Sequence, residues 1–249
     1  MKEKVFIKNN LGKNISVIVH YPNESKQKLA ILCPGFLDSK DYDHLIELAK
    51  TLSENGYTAV RFDPTGTWDS DGDLSEYSAT QYLNDIESIK NHMLTKNEWK
   101  TILIVGHSMG GRMSLIYTSL HSDISGVVAI MSSPGIIERK SEIQINKRDI
   151  PGNISEKREY RIAPEFFVDQ HRYHNPEEMK NIHVPVLLIA GEKDPLAPPE
   201  KVKPLFDLAN KPKEFVVMKN MGHDYRHHKN EIDLVNEKIL QFLNKQDLI

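Results

Sequence analysis

Apolar residues fall along this chain in short blocks whose period switches between two and about 3.6 residues, the mark of strands alternating with helices. Two β-like stretches come first, Lys4 to Lys8 and Ile15 to His20, placed to pair as a hairpin around Asn9-Asn10-Leu11-Gly12. An uninterrupted apolar strand follows, Leu29-Ala30-Ile31-Leu32-Cys33, stopped by Pro34-Gly35. Between Asp41 and Glu54, Leu45, Leu48, Ala49 and Leu52 recur at helical spacing, and Asn55-Gly56 closes the helix. Tyr57 to Phe62 reads as a strand. Tyr77 to Leu94 reads as a helix with Tyr82, Ile86, Ile89 and Met93 on one face. The spacing then predicts a buried strand over Thr101 to Val105, a helix over Ser108 to Leu120 and a strand over Gly126 to Met131.

After Pro134 the pattern breaks. Ile136 to about Pro176 is highly charged, with scattered apolar residues and no clean alternation. Regular order returns with a strand over Val186 to Ala190, a helix from about Pro199 to Ala209, a strand over Glu214 to Met218 and a closing helix from about Lys229 to Leu243. Alternating strands and helices behind a leading hairpin predict a mostly parallel sheet with helices on both faces. The irregular segment is too long for an ordinary connection. It is expected to be a cap inserted into one α/β domain spanning residues 1–249.

Composition narrows the function. With 249 residues, 39% of them hydrophobic, the chain has the material for a substantial core. A net charge of -3 excludes the basic footprint of a nucleic-acid binder. The single cysteine, Cys33, excludes an internal disulfide framework and a cysteine-rich zinc site. Its expected place is the core, as a small apolar residue. The opening MKEKVFIKNN has no apolar run of the signal-peptide type, and no segment reaches a membrane span, so a cytoplasmic protein without a membrane partner is expected.

The chemistry concentrates at Gly106-His107-Ser108-Met109-Gly110-Gly111, directly after one predicted strand and directly before a helix. Gly-x-Ser-x-Gly in that setting is a nucleophile elbow: the serine sits on a strained turn, and the glycines let strand and helix approach. The Met109 amide, at the helix start, faces a developing oxyanion. A serine hydroxyl needs a base, and the base an acid to orient it. Asp194, after the strand Val186 to Ala190, and His223, after Glu214 to Met218, both lie at the same sheet edge as Ser108 and follow it in the order acid, then histidine. Glu192 is a lesser rival for the acid. His183 precedes its strand, His107 flanks the serine and should point away from it, and His227 and His228 sit at a helix start. Phe36, after the first buried strand, is the candidate for the second oxyanion amide, since Pro34 has no N–H. Arg112 is expected to pair with a carboxylate. His171 and His174 lack the companions of a metal site, so no metal or organic cofactor is expected.

These motifs resemble those of the α/β-hydrolase family over essentially the whole chain, and within it the small bacterial serine esterases of the cinnamoyl or feruloyl type. The resemblance rests on Gly35-Phe36, the run Asp63-Pro64-Thr65-Gly66-Thr67-Trp68-Asp69-Ser70-Asp71-Gly72, the elbow at Ser108, Gly191 to Asp194, and Gly222-His223. The chain departs from that group in carrying Pro34 where a histidine is usual and Trp68 where a glycine is usual. The resemblance implies hydrolysis of a small-molecule ester through an acyl-enzyme. Thioesters, amides or peptides, and acyl transfer to an alcohol remain open on the same residues, and a non-catalytic receptor or scaffold is the alternative from another class. Trp68, with Phe166 and Phe167 of the insertion, is expected to help wall the substrate pocket.

Overall fold

The computed structural model describes residues 1–24, 27–132, 140–173 and 176–249. Pro134, Ile136 and His174, named above in or near the insertion, lie outside the described residues. The order of elements is β1 (Lys2–Lys8), β2 (Asn14–His20), β3 (Lys28–Cys33), α1 (Asp43–Glu54), β4 (Tyr57–Phe62), α2 (Ala79–Leu94), β5 (Thr101–His107), α3 (Met109–Leu120) and β6 (Gly126–Ile130). After these come β7 (Gln144–Ile150), β8 (Asn153–Ile162), α4 (Pro164–Gln170), β9 (Val186–Gly191), α5 (Pro199–Leu208), β10 (Lys213–Met218) and α6 (Lys229–Lys245).

Eight strands form one sheet in the order β1-β2-β4-β3-β5-β6-β9-β10. The two pairings that involve β2 are antiparallel and every other neighbour is parallel. The central strands are buried on both faces, which is why they read as unbroken apolar runs. In β3, Leu29, Ile31 and Cys33 join the core beneath α2 and α3, while Ala30 and Leu32 join the core beneath α1 and α6. A third cluster packs α5 against β6 and β9. Each helix supplies the face its spacing requires: Leu45, Leu48, Ala49 and Leu52 from α1, and Tyr82, Ile86, Ile89 and Met93 from α2. Ser78 caps α2 by accepting from the Gln81 amide. Among the described residues no helix is long and apolar enough to cross a membrane.

The insertion is more regular than its sequence suggests. β7 and β8 form an antiparallel hairpin outside the main sheet, turned at Pro151-Gly152, where Gly152 has a φ of 77°. Neither face of the hairpin enters a core along its length, so the apolar–polar alternation that marks a half-buried strand is missing. In β8 only Tyr160 and Ile162 are buried. They join the core cluster beneath α2, as do Phe166 and Phe167 of α4.

Parallel strands deliver their carboxyl-terminal loops to one edge, and a buried ion pair fixes two of these loops together. Lys40, in the loop after β3, places its Nζ 2.8 Å from Asp63, in the loop after β4, and 2.9 Å from both Asp41 and Asp69. Lys40 and Asp63 are both buried, and the Lys40 amide adds a 2.8 Å bond to the same carboxylate. Lys40→Met leaves that carboxylate buried without its cation. We expect a loss of about 3–5 kcal/mol in unfolding free energy, measured as a lowered urea midpoint at unchanged slope. A midpoint equal to wild type would show that the pair contributes nothing.

Candidate active site

Ser108 sits between β5 and α3 with φ 53° and ψ -120°, a conformation that costs a non-glycine residue energy and persists only when its surroundings impose it. The surroundings do so by close approach of backbones. A Cβ on Gly106 would fall 2.2 Å from the Gly110 carbonyl group, and one on Gly110 would fall 2.2 Å from the Cys33 oxygen. Bonds from the Ser108 amide to Ile130 O (2.8 Å) and from the Arg112 amide to Ser108 O (3.1 Å) hold the turn on both sides.

His223 Nε2 lies 2.9 Å from Ser108 Oγ, and His223 Nδ1 lies 2.8 Å from Asp194 Oδ2. Asp194 is buried, and its other oxygen accepts from the amides of Leu196 (2.8 Å) and Ala197 (2.9 Å). Burial pushes the carboxyl pKa of Asp194 up, but His223 and these two amides outweigh burial and hold it below the usual value. Asp194 is therefore an acceptor only, which puts the imidazole proton on Nδ1 and leaves Nε2 to accept from the serine hydroxyl. Glu192 points elsewhere: exposed, it accepts from the Asn220 amide at 2.8 Å and so braces the loop that carries His223. A bond from the Lys193 amide to Met221 O (2.9 Å) stitches the same two loops.

Phe36, Ser108 and His223 line one cleft of about 520 Å3, together with Asp38, Arg148, Pro195, Leu196, Gly222, Asp224 and Arg226. The Met109 amide, first in α3, has no acceptor within its own helix. Around Phe36, the Leu37 amide donates to Tyr77 Oη (3.2 Å) and the Asp38 amide to Gly35 O (3.0 Å), which sets the loop's path.

Trp68, Phe166 and Phe167 are not among the side chains lining this cleft. Trp68 Nε1 donates to Leu37 O at 2.9 Å, its amide donates to Tyr160 Oη at 3.2 Å, and its ring meets Tyr42 and Tyr160 edge-on. Phe166 stacks on Tyr77 with ring centroids 5.3 Å apart and touches Phe36 at 5.2 Å, and Phe167 stands edge-on to Phe166. Large rings are held here where insertion and body meet, one layer behind Phe36. Arg112 likewise serves that junction, donating to the carbonyls of Gln170 (2.7 Å) and Tyr173 (3.4 Å). Burial lowers the Arg112 pKa and the charge of Glu178 opposes that shift, but among the described residues no carboxylate comes within ion-pair distance of Arg112, so the expected carboxylate pair is replaced by these two carbonyls.

Sequence reasoning missed the groups beneath the histidine. Asp38, buried and two residues after Phe36, forms an ion pair with the partly buried Arg226, three residues after His223. His107 turns away from the serine, as its position requires, and packs its ring 5.0 Å from that of His223 and 3.5 Å by Nδ1 from Asp38 Oδ2. His44 and Tyr225 complete the cluster. No local signal could have joined Asp38 to Arg226, which are 188 positions apart. Asp38, His44 and His107 bring one ligand-type atom each within 4.8 Å of the others. The Arg226 guanidinium already supplies the cation at Asp38. Burial works to raise the carboxyl pKa of Asp38, and Arg226 with His107 overrides it, holding the group well below the carboxylate range. Burial lowers both His107 and His44, which keeps the imidazoles neutral. Cys33 is buried, and burial pushes its thiol up to about 12.

Comparison with known proteins agrees with this architecture. A family model described as the alpha/beta hydrolase fold matches residues 29–170. The lysophosphatidylserine lipase ABHD12 of Rattus norvegicus is 26% identical over 201 residues, covering 77% of this chain and 48% of that protein. The chain thus spans about half the length of these lipases. The mitochondrial palmitoyl-protein thioesterase ABHD10 of Mus musculus is 22% identical over 224 residues, covering 82% of this chain and 71% of the relative. Among solved structures, Est1E from Butyrivibrio proteoclasticus with ferulic acid bound superposes with a TM-score of 0.81 at 19% identity, covering 98% of this chain and 100% of that one.

The Asp38–Arg226 pair has a testable consequence. Asp38→Asn should cost about 1–3 kcal/mol of unfolding free energy at neutral pH, since Arg226 is partly exposed and keeps Asp224. A depressed native pKa contributes stability that is complete above the unfolded value of about 3.9 and is lost as pH falls through the native value. Denaturant titrations of wild type and variant should therefore differ by a constant amount from about pH 5 upward and begin to converge below about pH 4. A gap that instead widens toward acid pH contradicts an ionised Asp38.

Proposed function

The chain belongs to the α/β-hydrolase fold family, and from that premise we propose that it is a serine hydrolase cleaving carboxylic esters through an acyl-enzyme on Ser108. The observation that carries this reading is the unbroken relay from Ser108 Oγ to His223 Nε2 and from His223 Nδ1 to the buried Asp194. In the first half-reaction Ser108 Oγ bonds to the ester carbonyl carbon while its proton passes to His223 Nε2. Asp194 holds the ring in the required tautomer and balances the imidazolium that forms. The carbonyl oxygen becomes an oxyanion facing the amides of Phe36 and Met109. Collapse breaks the bond to the alcohol oxygen, which takes the proton from Nε2 and leaves. Water then repeats the sequence on the acyl-serine and restores the enzyme. None of these steps calls for a metal or an organic cofactor.

The insertion serves as a cap in this reading. Trp68, Phe166 and Phe167 act on substrate choice through Phe36, by fixing the cap to the body. A thioester is the second reading, favoured by the match to the palmitoyl-protein thioesterase over most of both chains. The same triad accepts either acyl donor, since the attack and the oxyanion are the same and only the leaving atom differs.

A fluorophosphonate probe should form an adduct on Ser108, located by peptide mass spectrometry, and Ser108→Ala should lower turnover of 4-nitrophenyl butyrate by about a thousandfold or more. Asp194→Asn should lose on the order of 10^3–10^4 in kcat with the fold intact by circular dichroism. Labelling of a different serine, or an Asp194→Asn enzyme near wild type beside a dead Glu192→Gln, would overturn the assignment. Failure of any serine to label would favour a binding module on the same fold.

A further inference from the structure

We infer that Arg148, supported by Arg158, selects esters that carry an anionic group a few bonds from the scissile carbonyl. The inference rests on the reading of Ser108 as nucleophile. In the hairpin register Arg148 lies directly across from Arg158. Like charges in that position repel, so the pairing is maintained against the local energetics of the ladder. Among the described residues no carboxylate stands within ion-pair distance of either guanidinium, although other basic side chains of the same hairpin are paired, Lys157 with Asp149 and Lys147 with Glu159.

Both arginines are held in place by neutral groups instead. Arg148 Nε donates to Phe36 O at 3.1 Å, and its guanidinium lies 5.6 Å from the centroid of the Phe36 ring. Arg158 Nη1 donates to Trp68 O at 3.0 Å and lies over the rings of Trp68 and Tyr160. A guanidinium offers five N–H donors in a planar fork that matches a carboxylate or phosphate, and one donor spent on a carbonyl leaves the charge and most of the fork in place.

Arg148 lines the same cleft as Ser108 and His223. The other ionised side chains lining it, Asp38, Asp224 and Arg226, bind one another. Among the described residues lining the cleft, Arg148 is thus the charge without a counterion, while Pro195 and the exposed Leu196 supply an apolar wall. Phe36 sets the distance. Its N–H is the proposed oxyanion donor and its carbonyl anchors Arg148, so oxyanion and guanidinium are separated by about the span of one residue. A dicarboxylic half-ester meets that spacing, with its free carboxylate three bonds from the reacting carbonyl.

Mono-4-nitrophenyl succinate and 4-nitrophenyl butyrate share a leaving group and nearly the same acyl length, and differ in the carboxylate. Wild type should favour the succinate ester by about tenfold in kcat/KM at low ionic strength, mostly through KM, with the preference narrowing as salt is raised. Arg148→Gln should lose about tenfold more on the succinate ester than on the butyrate ester, and Arg148→Lys should keep part of the difference. Equal rates on both esters in wild type, or equal losses in Arg148→Gln, would overturn the inference and leave Arg148 as a brace for Phe36. Calorimetric binding of both esters to the Ser108→Ala protein reads the same preference without chemistry. Tighter binding of the succinate ester there supports anion selection even if Ser108 is not the nucleophile, and equal binding defeats it even if Ser108 is labelled.

Discussion

The site depends on one compressed turn. Between β5 and α3 the chain must reverse from strand to helix while Ser108 is held at φ 53°, and it does so only because Gly106 and Gly110 carry no side chains where two backbones meet. The contact reaches further than the turn itself, since Gly110 presses on the Cys33 and Pro34 carbonyls at the end of β3. The helix start is thereby locked to the strand whose loop carries Phe36. Serine, Met109 amide and Phe36 loop are set relative to one another by backbone, which does not relax as side chains do. A residue with a Cβ at either glycine would force apart the elements that define the site.

The remaining groups come from loops distant in sequence, and charge holds them in register. Asp194 and His223 follow neighbouring parallel strands, so the sheet alone brings their loops side by side. Finer placement falls to polar groups: Glu192 on the Asn220 amide, Asp38 on Arg226, Lys40 on Asp63. The Asp38–Arg226 pair joins the proposed oxyanion loop to the loop of the proposed base, so a shift in one is transmitted to the other. Such pairs are costly to bury, and an apolar substitute of similar volume is often as stable or more so, so net stability is not what they supply.

Much of this was legible in the sequence, for definite reasons. The two-sided burial of β3, β5 and β9 leaves unbroken apolar runs, and the helices facing them carry one stripe each. The elbow is legible because both of its glycines are obligatory. Asp194 and His223 could be placed because strand ends in a parallel sheet share one edge. The β7–β8 hairpin was not legible, because a ribbon buried at only Tyr160 and Ile162 of its second strand has no face to mark. Trp68 could be marked as unusual but not aimed, since either the pocket or the cap would bury an indole. The cluster of Asp38, His44, His107 and Arg226 is a product of tertiary contact and has no local signature.

Body and insertion divide the work in a way that follows from how each is stabilised. The proposed reacting groups stand on loops of a sheet closed on both faces by helices. A two-stranded hairpin is marginal by itself and must borrow stability from what it touches. Here it borrows at few points: Tyr160 and Ile162 in the core, Asp149 O accepting from Tyr42 Oη at 2.8 Å, Arg148 on Phe36 O and Arg158 on Trp68 O. Most of its other side chains face solvent, so they can vary with little effect on the body. The anchors are different, because Phe36 and Leu37 belong to a loop that borders the cleft and Trp68 is bonded to that loop through Leu37 O, so a change at an anchor alters the cleft as well as the hairpin. On the proposed reading, the insertion can therefore change what is bound while the sheet keeps unchanged how it is cleaved.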